Sequence, residues 1–213
     1  MSFPVFVSCG YPSYEEAGIK WKDDDWRAWR LVQVIKGREV KGYSKFGKGG
    51  KVIVESNKRG RTSALRLIAG HAAGQLVSGG FRGPLVPVPS SNTTSFGTEF
   101  TAQLISDAIA TYSDRFSAHP VLRFTQEMGS TSGGKGSRSP EVIAENLALQ
   151  RGADIDECIL VDDVYTTGGH LKGAARFLSS HGIRVVAAYC VAQTVRERPK
   201  QMFGMSSFVV DAR

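Results

Sequence analysis

With 213 residues, 41% of them hydrophobic, the chain suits one domain with an appended subdomain and is too apolar to be disordered. Its formal net charge of +7 is compatible with a nucleic-acid partner, a polyphosphate ligand or plain solubility, and does not choose among them. No apolar run approaches the ~20 residues that span a bilayer, and residues 3–7 are too short and lack the basic flank of a signal-peptide core, so a cytoplasmic protein with no membrane partner is expected.

The first 80 residues hold Trp21, Trp26 and Trp29, which read as subdomain core, with stacking on a base as the alternative. Residues 36–66 carry ten Lys and Arg against two Glu, a solvated basic surface or one that tracks a phosphate backbone. The glycine-rich residues 41–50 predict a hairpin or loop. Residues 84–89 (Pro-Leu-Val-Pro-Val-Pro) predict a short strand whose prolines mark a special end. Phe96, Phe100, Leu104, Ile105, Ala108, Ile109 and Tyr112 fall at helical spacing and predict a helix over 95–112. Residues 121–124 predict a second strand. Residues 129–138 follow with no apolar side chain, which predicts a mobile loop.

Ser139 and Pro140 form a helix start, with serine at the N-cap and proline at the first position. Residues 158–161 are continuously apolar, as in a strand buried on both faces of a parallel sheet. Residues 169–180 predict a helix that Gly182 stops, and 183–191 the next buried strand. This alternation predicts an α/β fold with a parallel sheet flanked by helices, its ligand at the carboxyl ends of the strands. Cys9, Cys158 and Cys190 form no C-x-x-C pair, which argues against a zinc site or a disulfide framework. Cys158 and Cys190 read as small buried hydrophobes.

The chemistry concentrates where residues 158–161 end in Asp162 and Asp163. Paired carboxylates at the end of a buried strand are costly unless they meet a ligand or metal. They can accept hydrogen bonds from ribose hydroxyls and help hold Mg2+, directly or through water. Val164 and Tyr165 lead to Thr166, Thr167, Gly168, Gly169 and His170 at a helix start. Glycines let backbone N–H groups converge, threonines add hydroxyl donors, and the helix N-terminus adds its positive end, which together make a nest for one phosphate. Acids beside such a nest describe a site for ribose 5-phosphate.

The string of four apolar residues, two acids, two intervening residues and Thr-Thr-Gly resembles the signature of type I phosphoribosyltransferases. The resemblance implies a Rossmann-like core over 81–195, a smaller N-terminal hood or accessory region over 1–80, and a tail, 196–213, that joins the hood. It implies 5-phosphoribosyl-1-pyrophosphate and Mg2+ as ligands, with phosphoribosyl transfer to a nitrogenous base or nucleotide-like acceptor and release of pyrophosphate. Asp162 and Asp163 would meet the ribose hydroxyls and the metal, and residues 164–170 (Val164 to His170) the 5-phosphate. Ser90, Ser91 and Asn92 would cradle pyrophosphate, and Lys135 and Arg138 would close over it from a flexible lid. His170 stands where the family usually has threonine or serine.

Leu-Val-Pro-Val-Pro-Ser-Ser at 85–91, residues 29–36 ending in Lys36, and Asn-Leu-Ala-Leu at 146–149 resemble the ComF-like branch. That branch's zinc-binding cysteines are missing, and Ile143 replaces its arginine before Asn146. The departures keep a second function open: a non-catalytic phosphoribosyl-ligand sensor or regulatory module acting with nucleic acid or a protein partner, in DNA uptake or defence. The acceptor and a homo-oligomeric state are not legible.

Overall fold

The computed structural model describes residues 1–14, 18–129 and 139–212. In chain order the elements are β1 (Ser2–Pro12), α1 (Asp23–Ile35), β2 (Tyr43–Phe46), β3 (Val52–Glu55), α2 (Lys58–Ser78), β4 (Gly83–Pro87), α3 (Thr101–Tyr112), β5 (Phe116–Ala118), β6 (Leu122–Phe124), α4 (Pro140–Glu145), β7 (Leu147–Leu149), β8 (Glu157–Tyr165), α5 (Gly169–Ser180), β9 (Arg184–Val195) and β10 (Phe208–Asp211). Six strands form one sheet in the order β10-β1-β9-β8-β4-β5. All neighbours in it are parallel except β1 and β10. This is the α/β architecture expected from the alternation of strands and helices, with the Rossmann-like core that the resemblance implies.

The period-2 geometry of β8 organises the layers. Ile159 and Val161 enter the core that α1, α2 and α3 close, beside Leu85, Tyr189 and Val191. Cys158 and Leu160 enter the opposite core, beside Val86, Cys190 and the α5 residues Leu171, Ala174 and Leu178. A strand buried on both faces must be apolar at every position, which residues 158–161 are. Each such large side chain contributes about 1.5–3 kcal/mol by leaving water. Cys9, Cys158 and Cys190 are all buried thiols. Among the described residues no helix is long and apolar enough to cross a membrane.

Local chemistry sets several element ends. The Ser139 side chain accepts from Val142 N–H and Pro140 opens α4, as the sequence indicates. Helix α5 runs over the expected residues, and Gly182 lies beyond it at φ +80°. The hairpin expected near 41–50 is the β2–β3 pair, with Tyr43 opposite Glu55.

Other expectations are corrected. The helix expected from residue 95 begins at Thr101, because Gly97 takes φ +84° and Phe100 is an extended N-cap. Residues 122–124 do not join the main sheet. The strand beside β4 is β5, and His119 N–H still reaches Leu85 O before Pro120, which has no N–H, ends the ladder. The chain then crosses to the α5 face, where β6 pairs antiparallel with β7. Strand β1 lies inside the main sheet between β10 and β9, with Val5 opposite Ala188. The sheet therefore draws on residues either side of position 80 and on the tail through β10. The tryptophans pack on one another rather than in a core: Trp21 and Trp26 centroids are 4.6 Å apart, Trp29 meets both edge-on, and Trp26 is 42% exposed.

Helix α5 is held against α4 by a missing side chain. A Cβ at Gly173 would lie 2.5 Å from Ile143 Cγ2 and 2.9 Å from Pro140 O. Gly173→Val is expected to lower stability by about 1–3 kcal/mol through overpacking, despite valine's better helix propensity. Urea denaturation followed by far-UV circular dichroism checks this; a midpoint at or above wild type would show that α4 yields without cost.

Candidate functional site

The alternation that buries β8 also aims its last residues. Asp162 sits beside Cys190 of β9, continuing the face of Leu160, and Asp163 continues the face of Val161 toward α1. The two carboxyls are thus carried by one strand end yet approached from different layers. Asp163 N–H donates to Asp162 Oδ1 at 2.7 Å. Lys36, the residue that ends α1, places Nζ 2.8 Å from Asp163 Oδ2, with both side chains about three-quarters buried. Burial raises the Asp162 carboxyl well above the ordinary carboxylate range, and the charge of Asp163 raises it further. The Asp163 N–H and Lys36 pull in the other direction without cancelling the shift.

Beyond Tyr165 the backbone turns into a helix with no side chain capping it. Gly168 is the N-cap of α5 in the left-handed region, φ +78°, and a Cβ there would lie 2.7 Å from the Tyr165 ring. Only glycine satisfies both the torsion and the space. The first turn of α5 carries no acidic residue, so its positive end faces the loop uncompensated by side-chain charge. Thr166 and Thr167 are exposed in this loop, and Thr194 of β9 bonds to Thr166 through their hydroxyls at 3.2 Å. Backbone donors, hydroxyls and a helix N-terminus in one short segment make an anion-binding cradle.

These groups line a single pocket of about 250 Å³. Asp162, Asp163, Val164, Tyr165, Thr166, Thr167, Gly168, Gly169 and His170 all border it, as does Ser91 from beyond β4. The connection after β4 leads outward to β5 on one side and that after β8 to β9 on the other. The pocket thus lies at the carboxyl ends of strands where the connections diverge, the place where open α/β sheets bind ligands. The His170 ring borders it and packs beside Phe124, 6.1 Å between centroids.

Other expected positions fall differently. Ser90 and Asn92 flank Ser91 without lining the pocket; the chain turns there through Thr93 N–H to Ser90 O. Lys135 and Arg138 lie outside the described residues. Asn146 holds the β6–β7 ribbon to α4: its Nδ2 donates to Val142 O, and its Oδ1 accepts from Gln126. Ile143 is buried against Gly173 instead of presenting a charge. Sequence reasoning missed Lys36, Met128 and Gly129 as lining residues. The signal for Lys36 was a lysine directly after the apolar stretch of α1, in the segment 29–36.

Among the described residues no cluster of three or more His, Cys, Asp or Glu could hold a metal on its own. The acid pair supplies two carboxyl groups, of which Asp163 faces the Lys36 ammonium. This donor set fits a divalent cation that shares its coordination with water and a phosphorylated ligand, as Mg2+ does.

No family model matches the chain. Over 81 residues it is 31% identical to adenine phosphoribosyltransferase 1, chloroplastic, of Arabidopsis thaliana, an alignment covering 33% of this chain and 33% of that relative. The chain thus matches about a third of the relative's length. This similarity bears on phosphoribosyltransferases in general and not on the ComF-like branch, and it supports a phosphoribosyltransferase-type relationship for this chain.

Proposed function

We propose that the protein binds 5-phosphoribosyl-1-pyrophosphate with Mg2+ at the end of β8 and transfers the phosphoribosyl group to a nitrogenous base or related acceptor, releasing pyrophosphate. The observation that carries this reading is the juxtaposition, in one pocket, of the Asp162–Asp163 pair with the side-chain-uncapped glycine nest at the start of α5. Hydroxyl acceptors beside a phosphate cradle match the two chemical ends of a ribose 5-phosphate.

In this reading Asp162 and Asp163 accept hydrogen bonds from the ribose hydroxyls and orient the sugar. Thr166, Thr167 and the N–H groups opening α5 hold the 5-phosphate. The acceptor nitrogen then bonds to C1 as the C1–O bond breaks; the electron pair leaves with pyrophosphate and the proton of the acceptor N–H passes to solvent. Mg2+ held by the acid pair and the ligand would neutralise the leaving pyrophosphate. Ser91, on the β4 side of the pocket, is the described residue best disposed to donate to that group. Fixed donors that need no reorientation as charge develops favour the transition state.

A second reading, binding without transfer, draws on His170, an imidazole bordering the cradle where phosphoribosyltransferases usually carry a hydroxyl. It makes the pocket a sensor within a module that acts with nucleic acid or a protein partner. Binding of the donor with no pyrophosphate released across a panel of bases would favour it.

Calorimetric titration with 5-phosphoribosyl-1-pyrophosphate and Mg2+ tests the shared premise. Wild type should bind, and Thr167→Asp, which puts a carboxylate into the cradle, should weaken binding about a hundredfold or more. An absence of binding by a folded wild type would overturn both readings.

The acid pair also predicts a pH dependence. Folding raises the Asp162 carboxyl above its unfolded value, so the folded state favours the neutral acid. Stability from this group is therefore present at low pH and is lost as pH rises from about 4 through the raised folded value. Asp162→Asn should remove that loss, matching wild type near pH 4–5 and exceeding it at pH 8 by about 1–3 kcal/mol. Denaturant midpoints at the two pH values check it; an equal difference at both would show that burial of Asp162 carries no charging cost.

A further inference from the structure

We infer that Lys36 is the resident counter-cation of the acid pair, occupying in the ligand-free protein the charge position that a ligand-borne Mg2+ takes. Divalent metal then binds weakly by itself and firmly only together with the phosphorylated ligand. The inference rests on reading the pocket as a phosphoribosyl-pyrophosphate and Mg2+ site.

Lys36 is built into the pocket rather than draped over it. It follows the buried residues Val34 and Ile35 of α1, and its own N–H donates to Val32 O, which fixes where its side chain starts. A lysine at a helix C-terminus is ordinarily drawn to the exposed carbonyls. Here Arg61 from α2 already donates twice to Ile35 O, at 3.1 and 3.0 Å. The Lys36 ammonium turns instead to Asp163 Oδ2, 2.8 Å away, with about a quarter of its side chain exposed. A pair so shielded interacts more strongly than ion pairs on open surface.

Charge balance shows what that contact does. Among the described residues lining the pocket, Lys36 supplies the one ammonium or guanidinium against two carboxyls. A cation arriving by itself would have to displace this ammonium from Asp163, and among the described lining residues a bare pyrophosphate would meet one ammonium already held by Asp163. A metal carried on pyrophosphate offsets both costs. It brings its own compensating phosphate oxygens, and the displaced ammonium, on a flexible four-carbon stem with three donors, stays in the pocket to meet the anion. Lys36 is accordingly a positioning residue: it keeps Asp163 directed into the pocket until the metal-bearing ligand takes its place.

The test uses Mn2+ alone as the probe, with free Mn2+ followed by its electron paramagnetic resonance signal, on the full chain. Lys36→Met and Lys36→Gln should each bind Mn2+ about tenfold more tightly than wild type. Lys36→Arg, which keeps the charge, should bind as weakly as wild type. Adding Asp163→Asn to Lys36→Met should abolish the gain. The inference is overturned if both uncharged variants, folded by circular dichroism, bind Mn2+ no better than wild type, or if the gain survives Asp163→Asn. Because the readout needs no phosphoribosyl ligand, failure of the ligand to bind wild type would overturn the proposed function while leaving the Lys36 result to be judged separately.

Discussion

Two carboxyl groups on consecutive residues at the end of a doubly buried strand repel each other and resist desolvation, and the rest of the site is arranged around that charge. The Asp163 N–H turns back to Asp162 Oδ1, so one acid is partly stabilised by the backbone of the other. Lys36 reaches Asp163 from the end of α1. The positive end of α5 opens a few residues further on, with no acidic side chain of its own in the first turn. Negative and positive poles are thus set side by side within one pocket, which is the electrostatic outline of a ligand with a polyol at one end and phosphate at the other. Structural stability alone would not require it; apolar residues at 162 and 163 would cost the fold less.

How far this was legible follows from the range of each signal. Residues 158–170 are readable because every cue is local: the apolar run fixes a buried strand, the acids end it, and Thr-Thr-Gly-Gly turns the chain and starts a helix. The extent of α5 and the Ser139–Pro140 start of α4 were legible for the same reason. Lys36 was not, because its meaning depends on Asp163, far along the chain, and a lysine after a helix is commonplace. Strand β1 was hidden similarly: its alternation of Phe3, Val5 and Val7 suits any sheet, and only pairing with residues such as Ala188 makes it an inner strand. The three-residue strands β5 and β6 were confused because each is too short to show a period, and Pro120 between them decides which one stays with β4.

The residue at 143 has a packing explanation on the α5 side. Gly173 leaves no room for a side chain, and Ile143 fills the space above it, so the α4–α5 contact is made by backbone against a branched apolar group. An arginine at 143 would have to bury its guanidinium in that contact or push the helices apart. A basic residue on α5 bridges this layer: Arg176 donates to Ala212 O at 2.8 Å and pairs with Glu141 of α4.

That packing bears on how the site keeps its shape. The anion cradle is the first turn of α5, so any tilt of the helix moves every donor in it together. Leu171, Ala174 and Leu178 anchor one side of the helix in the core beneath β8, Gly173 lets α4 close on another, and Arg176 ties the next turn to the chain's last described residue. These contacts hold the helix from several directions, and Gly168 sets the turn that leads into it. Lys36, by contrast, reaches the pocket on a flexible four-carbon stem. In the proposed reading, a firmly held helix start would set the phosphate end of the ligand while the cation on its flexible stem would adjust to metal and pyrophosphate.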